Sequence, residues 1–302
     1  MPIHILTFIV GFLLFMLGLR SLRSGLHYIS AGRLVHLLQK ATASPWKGAA
    51  AAAAVTAVLQ SSSAVTASTI TLVDAGAINF NRAVGIILGT NVGTCATVQF
   101  LSLESTIIPI PLVLFGILAL LCRLKKAGEA LISLGSVFAG LEMMALGASP
   151  LAESTLFINL MVNTMHPLKG VILGTISTAL VQSSSAVMGV LVALSMKDMI
   201  SIYSSVPIML GSNLGTCITA VLAAFGSSRA GKQVAAAHVL LNLIGIAAFL
   251  PFVNSFASFC RLTADAPSAQ LANAHLLFNV FSSLAVLPFS NRFARLVAFI
   301  IR

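Results

Sequence analysis

Apolar and polar positions alternate on two scales along this chain. On the larger scale, long apolar runs such as IHILTFIVGFLLFMLGL (3–19), IIPIPLVLFGILALLC (107–122) and AQLANAHLLFNVFSSLAVLPF (269–289) are separated by short polar segments. A helix needs roughly 20 mostly apolar residues to cross a bilayer. The pattern therefore predicts an all-α polytopic membrane protein, with a first span in 3–19 and further spans at 83–103, 106–122, 130–147, 204–226, 233–253 and 269–289. On the smaller scale, the polar pentapeptide QSSSA interrupts two greasy stretches, LQSSSAVTAS (59–68) and VQSSSAVMGV (181–190). The segment before the first, GAAAAAAVTAVLQ (48–60), makes about 20 Å of helix at ~1.5 Å per residue. That enters a hydrocarbon core of ~30 Å without crossing it. The pattern thus predicts re-entrant helical hairpins over 48–78 and 170–198, each with its serines at the tip.

The two pentapeptides belong to a longer repetition. A spacing of 122 residues carries Gln60 onto Gln182, PWKG (45–48) onto PLKG (167–170), and GTNVGTCAT (89–97) onto GSNLGTCIT (211–219). Upstream, GFLLFMLG (11–18) matches GLEMMALG (140–147) loosely. Blocks in one order point to an internal duplication, with repeat 1 over 3–122, repeat 2 over 130–253 and an extra span at 269–289, all within one membrane domain spanning 1–302.

Charge sets the orientation of the copies. Residues 20–47 hold Arg20, Arg23, Arg33, Lys40 and Lys47 with no acid, whereas the equivalent segment 148–169 holds only Glu153 and Lys169. Basic loops face the cytoplasm, so the copies are expected to be inverted, an arrangement typical of secondary transporters. The N-terminus is then outside, while Arg123, Lys125, Lys126, Arg229, Lys232, Arg292, Arg295 and the C-terminus are inside. No basic segment precedes the first run, so it reads as a retained span, not a cleaved leader. SGLHYISAGRLVHLLQKA (24–41) is expected to form an amphipathic interfacial helix.

Composition sharpens this picture. Hydrophobic residues make up 58% of the 302 and charged ones only 8%, against roughly 25% charged in soluble domains. The net charge of +10 does not signal nucleic acid, because the basic residues lie between apolar runs. Four cysteines without a close-spaced pair indicate neither a disulfide framework nor a zinc site.

The polar blocks supply the candidate chemistry. Non-helical backbone at membrane depth is tolerated only where it is buried in protein or lines a cavity. Hairpin tips there offer backbone groups and hydroxyls. Gly89, Gly93, Gly211 and Gly215 interrupt two spans, and glycine weakens a helix by about 1 kcal/mol, so both spans are expected to be broken near Asn91 and Asn213. Helix N-termini favour anions; hydroxyl, amide and carbonyl oxygens suit a hard cation such as sodium. A small oxyanion held beside sodium fits this inventory.

QSSSA twice, each followed by G(T/S)N(V/L)GT, then AHVLLN (237–242) and AHLLFN (274–279), closely resemble the type II sodium–phosphate cotransporter family over about residues 5–290. The resemblance implies sodium-coupled symport of inorganic phosphate by alternating access, with sodium as co-substrate, no other cofactor and no enzymatic activity. It implies a phosphate and sodium site at Gln60, Ser61, Ser62, Ser63, Gln182, Ser183, Ser184 and Ser185, with Asn91, Thr94, Asn213 and Thr216 beside them and sodium near Ser62, Asn91, Ser184 and Asn213. Some animal relatives carry an aspartate-containing block where this chain reads FLSLESTIIPIP (100–111). Their large extracellular loop and the PhoU-like domain of some bacterial relatives are not found either, so a bacterial inner-membrane protein is expected.

Rival readings keep the polar blocks but change their use. Another oxyanion, proton coupling or net phosphate export would employ the same constellation. An intramembrane hydrolase would pair a serine with His238 or His275 as base. Those histidines, each four residues before an asparagine, read either as a proton relay or as imidazoles bonded to a neighbour. Glu142, deep in a span, reads as a coupling residue or as a member of a bundle pair.

Overall fold

The computed structural model describes residues 2–41, 44–103, 108–150, 154 and 166–302. Among these residues its regular secondary structure is helical, with α1 Pro2–Ala41, α2 Pro45–Leu59, α3 Ser62–Asp74, α4 Phe80–Leu101, α5 Pro109–Leu121 and α6 Lys125–Ala148. After the segment 155–165 come α7 Pro167–Val181, α8 Ser184–Ser195, α9 Ile202–Ala223, α10 Arg229–Phe249, α11 Val253–Arg261, α12 Pro267–Val286 and α13 Ser290–Ile300. Among the described residues six helices are long and apolar enough to cross a membrane: α1, α4, α6, α9, α10 and α12. Large apolar side chains face outward along α5 and along every one of these helices but the mostly buried α4, including Leu6, Leu13 and Leu17 on α1 and Ile110, Phe115 and Leu121 on α5. Lipid is the medium in which such faces are stable.

The two chain halves use the same local devices. Proline at the first helical position starts both α2 and α7, where its missing N–H costs nothing. These helices therefore begin at Pro45 and Pro167, three residues before the expected hairpin starts. Parallel packing sets α2 against α4 and α7 against α9. A Cβ on Gly89 would overlap the Ala49 carbonyl, and one on Gly211 the Val171 carbonyl. Gly93 meets Ala53 and Thr56 in the same way, as Gly215 meets Thr175 and Thr178.

This corrects the expected helix breaks. α4 and α9 run unbroken through Asn91 and Asn213. Glycines four residues apart line up on one face of a helix, and here they let two backbones touch, as small residues do between membrane helices. The helical propensity lost is offset by that close packing.

Two further expectations change. The first span and the expected interfacial helix at 24–41 form one continuous helix of 40 residues, so the chain does not turn at Arg20 or Arg23. The stretch expected to span at 106–122 contains α5, only 13 residues or about 20 Å long; residues 104–107 lie outside the described part. α5 packs against α6 with Gly116 facing Gly128 and Ile132.

The core has two apolar clusters. One is centred on α2, α3, α4, α10 and α13; the other is centred on α1, α6, α8, α9, α11 and α12, with Val171 of α7, and α4, α9 and α10 or the residues just after them contribute to both. α1 runs antiparallel to α6, with Gly11 against Gly140 and Met143 and Gly18 against Val137. The loosely matched blocks 11–18 and 140–147 thus face each other. A shorter repetition closes the chain: AHVLLN and AHLLFN are each followed by an LPF turn, at 250–252 and 287–289, and by a short amphipathic helix. On α13 and beyond it, Arg292 lies 5.9 Å from the Phe289 ring and Arg302 lies 4.7 Å from the Phe299 ring, as suits a helix lying at a membrane interface.

Candidate functional site

Both QSSSA segments fold into the same turn. Gln60 ends α2 in the left-handed region at φ 55°, ψ 26°, and Gln182 ends α7 at φ 55°, ψ 28°. Each donates its backbone N–H four residues back, Gln60 to Thr56 and Gln182 to Thr178. Ser61 and Ser183 are extended, and their hydroxyls accept from the N–H groups of Ala64 and Ala186, both at 3.3 Å. These are N-cap bonds, so each segment ends one helix and opens the next. α3 and α8 therefore present their N-terminal, partially positive ends at the turns.

The two turns meet. A cavity of about 810 Å³ is lined by Ser61 from the first, by Gln182 and Ser183 from the second, and by Arg20, Arg23 and Ser24 of α1. Two arginines and no carboxylate border it. Sequence reasoning assigned Arg20 and Arg23 to a cytoplasmic loop and missed this placement. The missed signal is helical continuity: no glycine pair or proline stops the helix between Leu19 and Ala41, which puts Arg23 some 27 Å of helix before α1 ends at ~1.5 Å per residue.

Below the caps the copies differ. Ser63 accepts a hydrogen bond of 3.1 Å from Thr219 on α9, whereas Ser185 accepts one of 2.7 Å from the Arg23 guanidinium. Ser62 and Ser184 are buried as the first residues of α3 and α8. Gln60 donates its side-chain amide to the Ala57 carbonyl.

The expected partners on the long helices do not line the cavity. Thr94 and Thr216 return their hydroxyls to the carbonyls of Thr90 and Ser212 on their own helices. The Asn91 amide donates to Asn242 and its oxygen faces Nε2 of His238 at 3.1 Å. The Asn213 amide donates to the Met209 carbonyl, and its oxygen faces Nε2 of His275 at 3.3 Å. Because each asparagine oxygen only accepts, both imidazoles carry their proton on Nε2. The histidines are thus bonded across helices to asparagines, and Nδ1 of each is buried without a partner. No hydrogen bond joins either ring to a serine among the described residues, so neither is placed as a base for one. Cys95 on α4 donates to the His275 carbonyl on α12, and Cys217 on α9 to the His238 carbonyl on α10. Glu142 is half-buried on α6 and does not line the cavity.

Comparison with known proteins agrees with this doubled construction. A family model described as Na+/Pi-cotransporter matches residues 14–146 and then residues 143–264. The protein YqeW of Bacillus subtilis is 33% identical over 269 residues, covering 87% of each chain. The Escherichia coli K12 protein named putative inorganic phosphate export protein YjbB is 26% identical over 248 residues, covering 80% of this chain and 45% of that one. Rabbit sodium-dependent phosphate transport protein 2A is 30% identical over 95 residues, covering 28% of this chain and 14% of its own. No solved structure matches the chain.

Proposed function

Since the chain belongs to the Na+/Pi-cotransporter family, we propose that it carries inorganic phosphate across a bacterial inner membrane by sodium-coupled symport. One observation supports this above the others: two equivalent serine turns, one from each copy, line a single cavity bordered by arginines. A tetrahedral oxyanion accepts hydrogen bonds in several directions. Caps from two helices and a guanidinium border the same cavity and supply donors to it.

In this reading the copies are inverted repeats, and α2–α3 and α7–α8 are re-entrant hairpins entering from opposite faces. The double family match and the twin turns support it. The N-terminus is placed outside and the C-terminus in the cytoplasm. Sodium is taken near Ser62, Asn91, Ser184 and Asn213. The amide oxygens of the two asparagines already accept from imidazole, and each keeps a second lone pair for an ion. Sodium neutralises part of the anion's charge, so the empty and fully loaded forms move more readily than half-loaded ones. Alternating access follows from one hairpin yielding while the other stays shut.

The test is uptake of labelled phosphate by proteoliposomes. An inward sodium gradient is expected to accelerate uptake beyond that under an equal potassium gradient, with arsenate competing better than sulfate. Equal rates with and without the sodium gradient would reject sodium symport. A second reading, net export, is favoured by the name of the YjbB relatives. Cells loaded with phosphate and losing it faster when the protein is produced would select that direction.

A further inference from the structure

Arg23 is the feature of the site that the duplication does not explain. It comes from α1, outside both serine turns, yet its guanidinium reaches Ser185 of the second turn and borders the cavity shared with the first. No carboxylate pairs with it among the described residues; the one ion pair there joins Lys125 and Glu129. Its Nε is buried with no hydrogen-bond partner.

These facts point the same way. A guanidinium has five N–H donors, and one bond to a serine leaves most of them unspent. A charge held inside a membrane protein without a counter-charge is costly, and structure retains it where a ligand supplies the missing anion. The geometry at Ser185 adds to this. Its oxygen accepts from Arg23, so its own proton is free to point elsewhere, and accepting from a cation strengthens a hydroxyl as a donor.

We infer that Arg23 is a direct ligand of the transported oxyanion and the fixed positive charge of the site, working with the Ser185 hydroxyl it polarises. The inference rests on the phosphate reading given above. It carries a consequence for coupling: part of the anion's charge is neutralised by the protein itself, so sodium completes a balance that Arg23 begins. An anion held by charge-assisted bonds should then depend on Arg23 for affinity more than for turnover.

The experiment compares initial rates of labelled phosphate uptake by full-length protein in proteoliposomes at two sodium concentrations, for the unsubstituted chain, Arg23→Lys and Arg23→Gln. Loss of one charge-assisted hydrogen bond is expected to raise KM for phosphate about ten- to hundredfold in Arg23→Gln. Maximal rate should change far less, and higher sodium should recover part of the affinity. Arg23→Lys keeps the charge and should keep most of the affinity. Arg20→Gln, at the more exposed arginine, should move KM less. A lower maximal rate with unchanged KM, equal in the lysine and glutamine variants, would assign Arg23 a structural role and overturn the inference. Should Arg23→Gln not fold, the native chain still answers. Phosphate in sodium buffer should slow phenylglyoxal modification of Arg23, followed by mass spectrometry, and modification at an unchanged rate would overturn the inference. Sodium-driven phosphate uptake with no KM shift would refute Arg23 alone, whereas no phosphate uptake by the unsubstituted chain would refute the transport reading together with it.

Discussion

The first and second serine turns share a backbone to within about ten degrees and differ in what they hold. The first sets Ser63 against a neutral hydroxyl, Thr219. The second sets Ser185 against a full positive charge. Duplication therefore fixed the scaffold twice, while a helix outside both turns made the site unequal. In the proposed transport reading, two like scaffolds let the halves exchange shapes, and a charge on one side gives the anion a preferred seat. The same division runs through the histidine layer, where Asn91 with His238 and Asn213 with His275 are near copies, but only Asn91 also reaches Asn242.

The scaffold should break alike in both halves. Gly89→Val and Gly211→Val each force side-chain atoms into a neighbouring carbonyl. Overpacking against backbone belongs at the upper end of about 1–3 kcal/mol, so both variants should lose most folded protein, measured as the monodisperse fraction after mild heating in detergent. An intact Gly211→Val beside a failed Gly89→Val would disprove equivalence. His238→Ala and His275→Ala come next. Each leaves a buried asparagine oxygen without its donor, at a cost of about 1–3 kcal/mol, and similar falls in thermal midpoint are expected. A smaller loss should follow Ser61→Ala or Ser183→Ala, since a missing N-cap costs about 1 kcal/mol. Both should also weaken phosphate binding, because both caps line the cavity.

The smallest effect is a pH response carried by one carboxylate of the first copy. At the end of α3 the exposed Asp74 carboxylate accepts from the Ser228 N–H at 2.6 Å. Hydrogen bonding from Ser228, by its hydroxyl and its backbone N–H, holds that carboxyl below the usual carboxylate range. A lowered value means stabilisation present above the ordinary Asp value and lost as pH falls through the lowered one. Asp74→Asn should abolish that small acid-side dependence in a pH series of thermal midpoints. Met196 occupies the equivalent place in the second copy, which should show no counterpart.

Much of the fold was legible because lipid imposes strong rules. Apolar runs located α4, α6, α9, α10 and α12 to within a few residues, and the half-length helices before QSSSA marked both turns. What misled was reading single residues without their neighbours. Glycines at 89 and 93 carry a propensity penalty in isolation, yet stacked against Ala49 and Ala53 they are contact points, so the helix continues. Arginines at 20 and 23 look topogenic when charge is counted per loop. Only the continuous α1 and its antiparallel seat on α6 bring them to the serines. Of the expected site residues, Ser61, Gln182 and Ser183 line the cavity and Ser185 is tied to it through Arg23. Asn91, Thr94, Asn213 and Thr216 do not line it, and hydrogen bonds within and between long helices engage their polar atoms. Periodicity along one chain does not reveal which partner a side chain will meet 150 residues away.

The most direct test of a composite site is equilibrium binding of labelled phosphate to purified protein in sodium-containing detergent buffer. One phosphate bound per chain, with about tenfold weaker binding for Ser61→Ala and for Ser183→Ala alike as each removes one hydrogen bond, is the predicted result. Two phosphates per chain, or undiminished affinity in either variant, would contradict a single seat built from both turns.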